Sequence, residues 1–429
     1  MANPGDQVKV ITKDEKFEGV LMPNETENTV VVKLDSGYNI GIDSKKVKKI
    51  EVVKSSSHKN NIKVKVTKKK NLSNVCILHT GGTIASRVDY RTGGVVSKFT
   101  PEDLISMFPE LGDIANIDSE LISNMWSDDL RFTNLSKISK VIEKKIKQGV
   151  DGIIIGMGTD NLAVAAAGLS FIIEETPVPV IIVGAQRSSD RGSSDAGMNL
   201  VCAAEFISKT DFKGVAICMH ENTNDDNCAI LPATKTKKLH SSRRDAFKPV
   251  NDSISARVNY KSREIIFVKK NYNKEGSDLV LKPNFEEKVG ILKVHINMFP
   301  EEFEFYKGWK GLIIEGTGLG HTPGHSPNSE TEIHKKIFPA LKKVIDSGCV
   351  VVITTNCVFG MVGMNVYDKG RDLQKLGVVS GEDMLTNTAF VKLAWLLGNY
   401  KDKEEVKKLI SENLRGEINK RIEPDQFLD

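Results

Sequence analysis

The amino-acid sequence predicts an α/β protein in which a small, SH3-like antiparallel β-barrel precedes two units built on open parallel sheets. Three observations lead to this prediction. The first fifty residues alternate apolar and polar positions in short segments, which is the pattern of strands with one buried face. A polar stretch rich in serine and lysine follows. From residue 74 onward, apolar segments alternate with segments of helical periodicity, as is typical of parallel sheets covered by helices.

Five short strands are predicted in the N-terminal segment, separated by polar turns such as PNETEN and DSKK. Short strands joined by tight turns favour a small antiparallel barrel, which we assign to residues 1–54. Residues 55–73 are polar and poorly suited to packing, so we assign them to a basic linker. The predicted strands are residues 7–12, 17–22, 29–34, 38–42 and 47–53.

A lysine-rich run spans the end of the predicted barrel and the linker. Between Ser44 and Lys70 there are eleven lysines and one acidic residue, Glu51, whereas the net charge of the whole chain is only +4. Such a run can attract a polyanion such as tRNA, or it can be a solvated linker. The sequence leaves both interpretations open.

The rest of the chain divides into two α/β units. An N-terminal unit, residues 74–284, is predicted to carry the active site, and a C-terminal unit spans residues 285–429. A polar segment near residues 261–288 crosses between them. The predicted strands are residues 75–80, 152–157, 178–185, 214–220, 289–296, 311–318 and 349–355, and the predicted helices are residues 136–149, 161–175, 331–348 and 388–400.

The composition excludes several classes of protein. Forty percent hydrophobic and 27% charged residues are ordinary for a soluble globular protein. No apolar run is long enough for a membrane helix, and the first residues do not resemble a secretion signal, so we expect a cytoplasmic protein without membrane contact. The six cysteines are scattered without a C-x-x-C pair, which favours reduced core thiols over a disulfide or zinc framework. We expect no metal site.

The candidate site begins where the strand VCILHT runs into GGTIAS. Ligands of open α/β sheets bind beyond the carboxyl ends of the strands. Gly81 and Gly82 allow close backbone approach to a ligand, and Thr83 follows them. Taken alone, this segment is more typical of a simple strand-to-helix turn than of a catalytic site.

A second segment, GIIIGMGTDN, repeats this arrangement. Gly158 allows close approach, and Thr159 and Asp160 stand at the start of a long predicted helix. The N-terminus of a helix suits an oxyanion or a substrate carboxylate. Asp160 can equally serve as the helix cap.

Together these segments resemble the bacterial-type L-asparaginase family over roughly residues 74–398. The matching motifs are TGGTIA, GTD, and KLHSSRRDAF at residues 238–247, in the order of that family. Further similarity lies in VPVIIVGAQRSSDRGSSDAGMNL, NVYDKGRDLQKLGV and AFVKLAWLLG. The resemblance implies an amidohydrolase of glutamine or asparagine.

The resemblance also implies a role for each matched residue. A threonine hydroxyl needs a base to become a nucleophile. Thr83 is implied as the nucleophile with Tyr90 beside it, and residues 88–96 as a lid. Thr159, Asp160 and Lys238 are implied to form a second relay. Either threonine can attack first, and we favour Thr83.

Substrate binding is assigned to four residues: Gly82, Ser127, Asp128 and Gly158. The sequence departs from the family at three positions, since Asp128 replaces a common glutamine, Met157 a histidine and Asn161 a threonine. The nucleophiles are retained, whereas the choice of substrate and the activity of the isolated chain are open. Arg187, Asp190 and Arg191 are interpreted as structural ion-pairing residues near the site.

The first seventy residues distinguish two readings of this amidohydrolase. A barrel and basic linker before an asparaginase-like module resemble the D-subunit family of the archaeal glutamyl-tRNA(Gln) amidotransferases, with matches at FEGVLMP, LDSGYNIGI, GLGHTP and GEDML. That resemblance implies ammonia transfer to a partner, the amidotransferase E-subunit, which converts Glu-tRNA(Gln) to Gln-tRNA(Gln). ATP and Mg²⁺ are expected in that partner, no cofactor is expected in this chain, and a homodimer within a heterotetramer is implied. The alternatives are a free cytoplasmic L-asparaginase and a catalytically dead binding scaffold.

Overall fold

The structure is a computed structural model. It describes residues 2–3, 5–22, 28–34, 39–55, 68–82, 87–88, 95–96, 100–187 and 194–427.

The N-terminal part is a five-stranded antiparallel sheet in the order β4-β3-β2-β1-β5. Along β1 the side chains alternate between buried and half-buried positions, as expected for a strand with one face on a core. Val8, Val10, Val32 and Ile42 form that small core. The predicted antiparallel sheet is therefore confirmed, whereas its SH3-like character stays a prediction. Its strands are β1 Gln7–Ile11, β2 Lys16–Met22, β3 Thr29–Leu34, β4 Asn39–Asp43 and β5 Lys49–Lys54.

The middle part of the chain contains fourteen further strands and five helices within the described residues. The strands are β6 Ser73–His79, β7 Arg87–Val88, β8 Val95–Val96, β9 Ala115–Leu121, β10 Gly152–Gly156, β11 Ile173–Glu175, β12 Pro179–Val183, β13 Gly214–His220, β14 Asn227–Pro232, β15 Thr236–Lys238, β16 Phe247–Pro249, β17 Ala256–Asn259, β18 Ile265–Phe267 and β19 Val280–Leu281. The helices are α1 Pro101–Met107, α2 Leu111–Ile114, α3 Phe132–Lys147, α4 Leu162–Ile172 and α5 Ala196–Lys209.

Eight of these strands form the main sheet, in the order β18-β17-β14-β13-β12-β10-β6-β9. The five strands from β13 to β9 are parallel, and the remaining pairs are antiparallel. All five residues of β10 and of β12 are buried, because helices cover both faces of the sheet. The carboxyl ends of β6, β10 and β12 lie side by side, and the candidate site lies at this edge.

The C-terminal part adds a four-stranded parallel sheet in the order β20-β21-β22-β23. Its strands are β20 Val289–Lys293, β21 Gly311–Gly316, β22 Val350–Thr355 and β23 Val379–Ser380. Its helices are α6 Pro300–Glu304, α7 Ile337–Asp346, α8 Asp368–Leu376, α9 Thr386–Asn399 and α10 Lys403–Ile410. The predicted fold of two α/β units is confirmed.

The two α/β units share one apolar core. Helices α4 and α9 contribute to it together, and the Phe171 and Trp395 rings lie 5.7 Å apart within it. A buried ion pair also joins the units, since Lys235 beyond β14 bonds Asp383 before α9. Both side chains are fully buried, so each charge depends on the other.

The structure contains elements that were not predicted, and three differences from the sequence-based expectations are instructive. Strand β9, which lies at the edge of the main sheet, was missed because its residues, ANIDSEL, are mostly polar. The predicted helix 161–175 ends at Ile172, and Ile173–Glu175 instead forms β11, which pairs with β19. The predicted helix 331–348 begins as a 3-10 helix at Ser329–Lys336 and becomes α-helical only at Ile337.

Within the described ranges, no helix combines the length and the apolar character needed to cross a membrane. Five of the six cysteines are buried, and Cys357 is exposed.

Candidate active site

Two glycine-containing turns contact each other at the carboxyl ends of β6 and β10. Gly82 has a φ of +81°, and a Cβ atom on it would lie 2.5 Å from the backbone nitrogen of Gly158. Gly81 has a φ of +105°, and a Cβ atom there would lie 2.5 Å from the carbonyl oxygen of Met125. Both the left-handed backbone and these contacts require glycine. The backbone just before Thr83 therefore packs directly against the residue just before Thr159.

Thr83 and Tyr90 lie outside the described residues. Their assigned roles stay predictions. The same is true of most of the predicted lid, of which the structure describes only Val88, Val95 and Val96. Asp190 and Arg191 also lie outside the described part of the chain.

Thr159, Asp160 and Lys238 come together although they are far apart in sequence. The Lys238 ammonium donates to Thr159 Oγ1 at 2.9 Å and to Asp160 Oδ1 at 2.9 Å. Lys238 ends β15, which is paired with β16, so a hairpin holds its backbone. Thr159 is 9% exposed, whereas the Asp160 side chain is 68% exposed. The relay thus has a buried hydroxyl and an accessible carboxylate.

A fourth residue, Gln186, belongs to this group and was missed in the sequence. Thr159 donates its hydroxyl proton to Gln186 Oε1 at 3.0 Å. Gln186 follows β12, so the sequence did offer one signal: a polar side chain at the carboxyl end of a buried parallel strand. A single glutamine is not distinctive enough to be selected on that ground.

Ser127 supports the start of α4. Its Oγ accepts the backbone N–H groups of Asp160 at 3.1 Å and Asn161 at 3.4 Å, and its carbonyl oxygen accepts Asn161 Nδ2 at 2.8 Å. Asp160 is therefore not the helix cap, which is Asn161, and its carboxylate bonds Lys238 instead. A Cβ atom on Gly158 would lie 2.9 Å from Ser127 Oγ. Asp128 follows as an exposed residue of a short 3-10 turn.

His79, the last residue of β6, is buried directly before the glycine turn. Burial lowers the pKa of its imidazole to about 4 from an ordinary value of 6.5, because a charged ring is poorly solvated there. In the unfolded chain the His79 ring binds a proton below about pH 6.5, whereas in the native protein this ring binds a proton only below about pH 4. Native stability should therefore fall as the pH drops through this window, by up to about 3 kcal/mol from this residue.

This expectation is checked by urea unfolding of the protein and of a His79→Leu variant at several pH values. Between pH 7 and pH 4 the unmodified protein should lose up to about 3 kcal/mol of stability relative to His79→Leu, since other titrating groups are common to both proteins. A difference that stays constant with pH would contradict the assignment.

The contact between the two glycine turns predicts a large effect for Gly82→Ala. Gly149 is a matched control, because its φ is +84° but a Cβ atom on it would meet no described atom within 4 Å. Gly149→Ala should cost only the backbone strain, about 1–3 kcal/mol of stability. Gly82→Ala should add a backbone collision that displaces Gly158, and it should lower by about 100-fold the amide hydrolysis that the sequence resemblance implies. Equal activity of the two variants would show that the close approach is unimportant.

Comparisons with known proteins agree with this architecture. Residues 2–53 match the family described as GatD N-terminal domain, residues 74–272 the family Asparaginase, N-terminal, and residues 288–410 the Glutaminase/Asparaginase C-terminal domain.

Proteins named as the D-subunit of glutamyl-tRNA(Gln) amidotransferase are similar to this chain over nearly their whole length. The protein of Methanococcus maripaludis strain C6 is 43% identical over 97% of this chain and 98% of its own length. That of Pyrococcus furiosus is 41% identical over 99% of this chain and 97% of its own length.

Among solved structures, the thermostable L-asparaginase from Thermococcus kodakarensis aligns with a TM-score of 0.71 and 27% identity, over 81% of this chain and all of that chain. A probable cytoplasmic L-asparaginase from Campylobacter jejuni aligns with a TM-score of 0.63 and 28% identity, over 80% of this chain and all of that chain.

Proposed function

This chain belongs to the asparaginase family and, within it, to the D-subunit family of the glutamyl-tRNA(Gln) amidotransferases. From this membership we propose that the chain frees ammonia from glutamine, or asparagine, and that a threonine is the nucleophile. The observation that carries the proposal is the contact of Lys238 with Thr159 and Asp160 beside the packed glycine turns.

In the proposed reaction, the Thr83 hydroxyl attacks the side-chain amide carbon of the substrate. A C–O bond forms and the C–N bond breaks, and the leaving nitrogen takes up a proton to depart as ammonia. Water then cleaves the resulting ester, which releases glutamate or aspartate and restores the hydroxyl. Because both threonines carry a hydroxyl, the reverse assignment, with Thr159 attacking first, is the alternative.

The described residues have two roles in this scheme. Lys238 places a positive charge 2.9 Å from Thr159 Oγ1, which stabilises negative charge on that oxygen. Lys238 donates a hydrogen bond to one carboxylate oxygen of Asp160. Because the Asp160 side chain is exposed, its carboxylate remains accessible to the ammonium group of an amino-acid substrate. Gly82 and Gly158 would let the substrate approach the backbone closely, with Ser127 supporting the turn and Asp128 at its rim.

We further propose that the ammonia passes to the E-subunit, which uses ATP and Mg²⁺ to convert Glu-tRNA(Gln) to Gln-tRNA(Gln), with this chain as a homodimer within a cytoplasmic heterotetramer. No cofactor is assigned to this chain. The N-terminal match at residues 2–53 favours this function over a free L-asparaginase, because the two asparaginase structures leave about a fifth of this chain without a counterpart.

The test is an ammonia-release assay on the chain alone, with the E-subunit, and with the E-subunit plus Glu-tRNA(Gln). The proposal expects efficient release from glutamine only in the complete mixture. Rapid asparagine hydrolysis by the isolated chain, unaffected by the other components, would instead identify a free asparaginase. No release in any mixture would indicate a dead scaffold.

A further inference from the structure

The Thr159 hydroxyl lies between two partners that fix the direction of its proton. Lys238 Nζ lies 2.9 Å from Thr159 Oγ1, and Gln186 Oε1 lies 3.0 Å from the same oxygen. An ammonium group only donates hydrogen bonds, whereas an amide oxygen only accepts them. While Lys238 is protonated, the order of donation is therefore from Lys238 to Thr159 and from Thr159 to Gln186.

The opposite orientation of the Gln186 amide fits this site less well. It would direct an N–H group at Thr159 Oγ1, to which Lys238 already donates. The hydroxyl proton would then lack the acceptor that it has now. In the observed orientation the Thr159 proton has an acceptor, whereas the buried Gln186 Nε2 has no hydrogen-bond partner among the described residues. The amide orientation therefore rests on the contacts of Thr159 with Lys238 and Gln186.

Hydrogen bonds with neighbouring side chains hold the backbone at Gln186 in place. The buried carboxylate of Asp195 accepts the N–H groups of Gln186 at 3.0 Å and Arg187 at 2.9 Å. Asn199 Nδ2 in turn donates to Asp195 Oδ2 at 3.2 Å and to the carbonyl oxygen of Gly184 at 3.0 Å. This anchoring fixes where the Gln186 side chain begins.

The methyl group of Thr159 is confined as well. A Cβ atom on Gly184 would lie 2.9 Å from Thr159 Cγ2, so any side chain there would displace the threonine. The methyl group of Thr159 thus faces Gly184, and its hydroxyl lies between Lys238 and Gln186.

We propose that Gln186 is a positioning residue for the reaction. Gln186 Oε1 accepts the Thr159 hydroxyl proton and holds it on the side away from Lys238. One lone pair of Thr159 Oγ1 then accepts the Lys238 ammonium group, and the other lone pair remains available to the reacting group. This inference rests on the proposed function and deepens it by adding a member to the relay. The glutamine acts through Thr159 and needs no contact with substrate.

The experiment compares Gln186→Met, which removes the acceptor at similar volume, with Gln186→Glu, which keeps an acceptor oxygen at the same place. The matched control is Gln148→Met, at an exposed residue that follows α3. Steady-state glutamine hydrolysis is measured for the chain with the E-subunit and Glu-tRNA(Gln), and thermal unfolding is recorded for each variant.

Gln186→Met should lower kcat by about 10- to 100-fold with KM within about twofold, because a misplaced hydroxyl impairs the chemical step more than binding. Gln186→Glu should retain clearly more activity than Gln186→Met, and Gln148→Met should match the unmodified protein. If Gln186 only fills space, the order reverses, since methionine packs and a new carboxylate does not. Wild-type kcat in Gln186→Met, or that reversed order, would overturn the inference.

Two further variants separate this inference from the proposed function. Thr159→Val and Lys238→Met should both be strongly impaired if the relay is catalytic. If they are impaired and Gln186→Met is not, only the role of Gln186 is wrong. If Thr159→Val and Lys238→Met remain fully active, the proposed relay itself is wrong.

Discussion

Replacing Thr83, the proposed nucleophile, with valine is expected to reduce ammonia release from glutamine by about 10⁴-fold or more, because a covalent mechanism without its nucleophile retains only binding and electrostatic effects. Valine has nearly the shape of threonine, so the loss would reflect the missing hydroxyl. The preceding residue, Gly82, is packed against Gly158, which ties this part of the chain to the Thr159 relay. The measurement is steady-state hydrolysis with the E-subunit and Glu-tRNA(Gln), together with a burst experiment for a covalent intermediate.

Thr80→Val is the matched control for this variant. Thr80 lies three residues earlier, and its hydroxyl donates to the carbonyl oxygen of Gly156 at 3.3 Å. Its replacement should cost about 1 kcal/mol of stability and only a small part of the activity. If Thr83→Val hydrolysed glutamine nearly as fast as Thr80→Val, Thr83 would not be the nucleophile.

Lys238→Met is expected to lower kcat by about 10²- to 10³-fold, the range seen when a single electrostatic donor is removed from a catalytic site. Its ammonium group contacts both Thr159 and Asp160, so its loss leaves the hydroxyl without a stabilising charge and the carboxylate without its partner. The side chain is 16% exposed and lies at the end of a hairpin, which makes a folded variant the expected outcome. Hydrolysis rates and thermal unfolding are measured in parallel.

The matched control is Lys248→Met, on the strand paired with that of Lys238. Lys248 Nζ donates to the carbonyl oxygen of Glu221 at 2.6 Å and lies outside the relay. This variant should keep its activity to within a fewfold. Equal losses in Lys238→Met and Lys248→Met would point to a disturbed hairpin and against a specific role for Lys238.

The sequence predicted the fold well where local patterns determine structure. Apolar runs such as GIIIG mark strands buried on both faces, and they become the centre of the main sheet. The end of α4 was harder to predict, because Ile173–Glu175 pairs with Val280–Leu281, more than a hundred residues away. Tertiary pairing of that kind leaves no local pattern.

The candidate site shows the same limit. Lys238 meets Thr159 across 79 positions of sequence, and no spacing rule connects them, so only the resemblance to a known family suggested the pair. Gln186 was missed because its contact with Thr159 depends on the direction of one side chain. Asp160 illustrates a choice between two local roles that geometry resolves: its carboxylate bonds Lys238, and Ser127 accepts its backbone N–H group.

Because α4 and α9 share one core, with Phe171 stacked on Trp395 and Lys235 paired with Asp383, the two α/β units should melt in one cooperative transition. A fragment ending between them would expose an apolar surface and leave Lys235 without Asp383, its partner. All described residues of the relay lie on the N-terminal unit, yet we expect that this unit does not fold stably when it is expressed alone. The boundary between the two units therefore divides the sequence but not the folding of the protein.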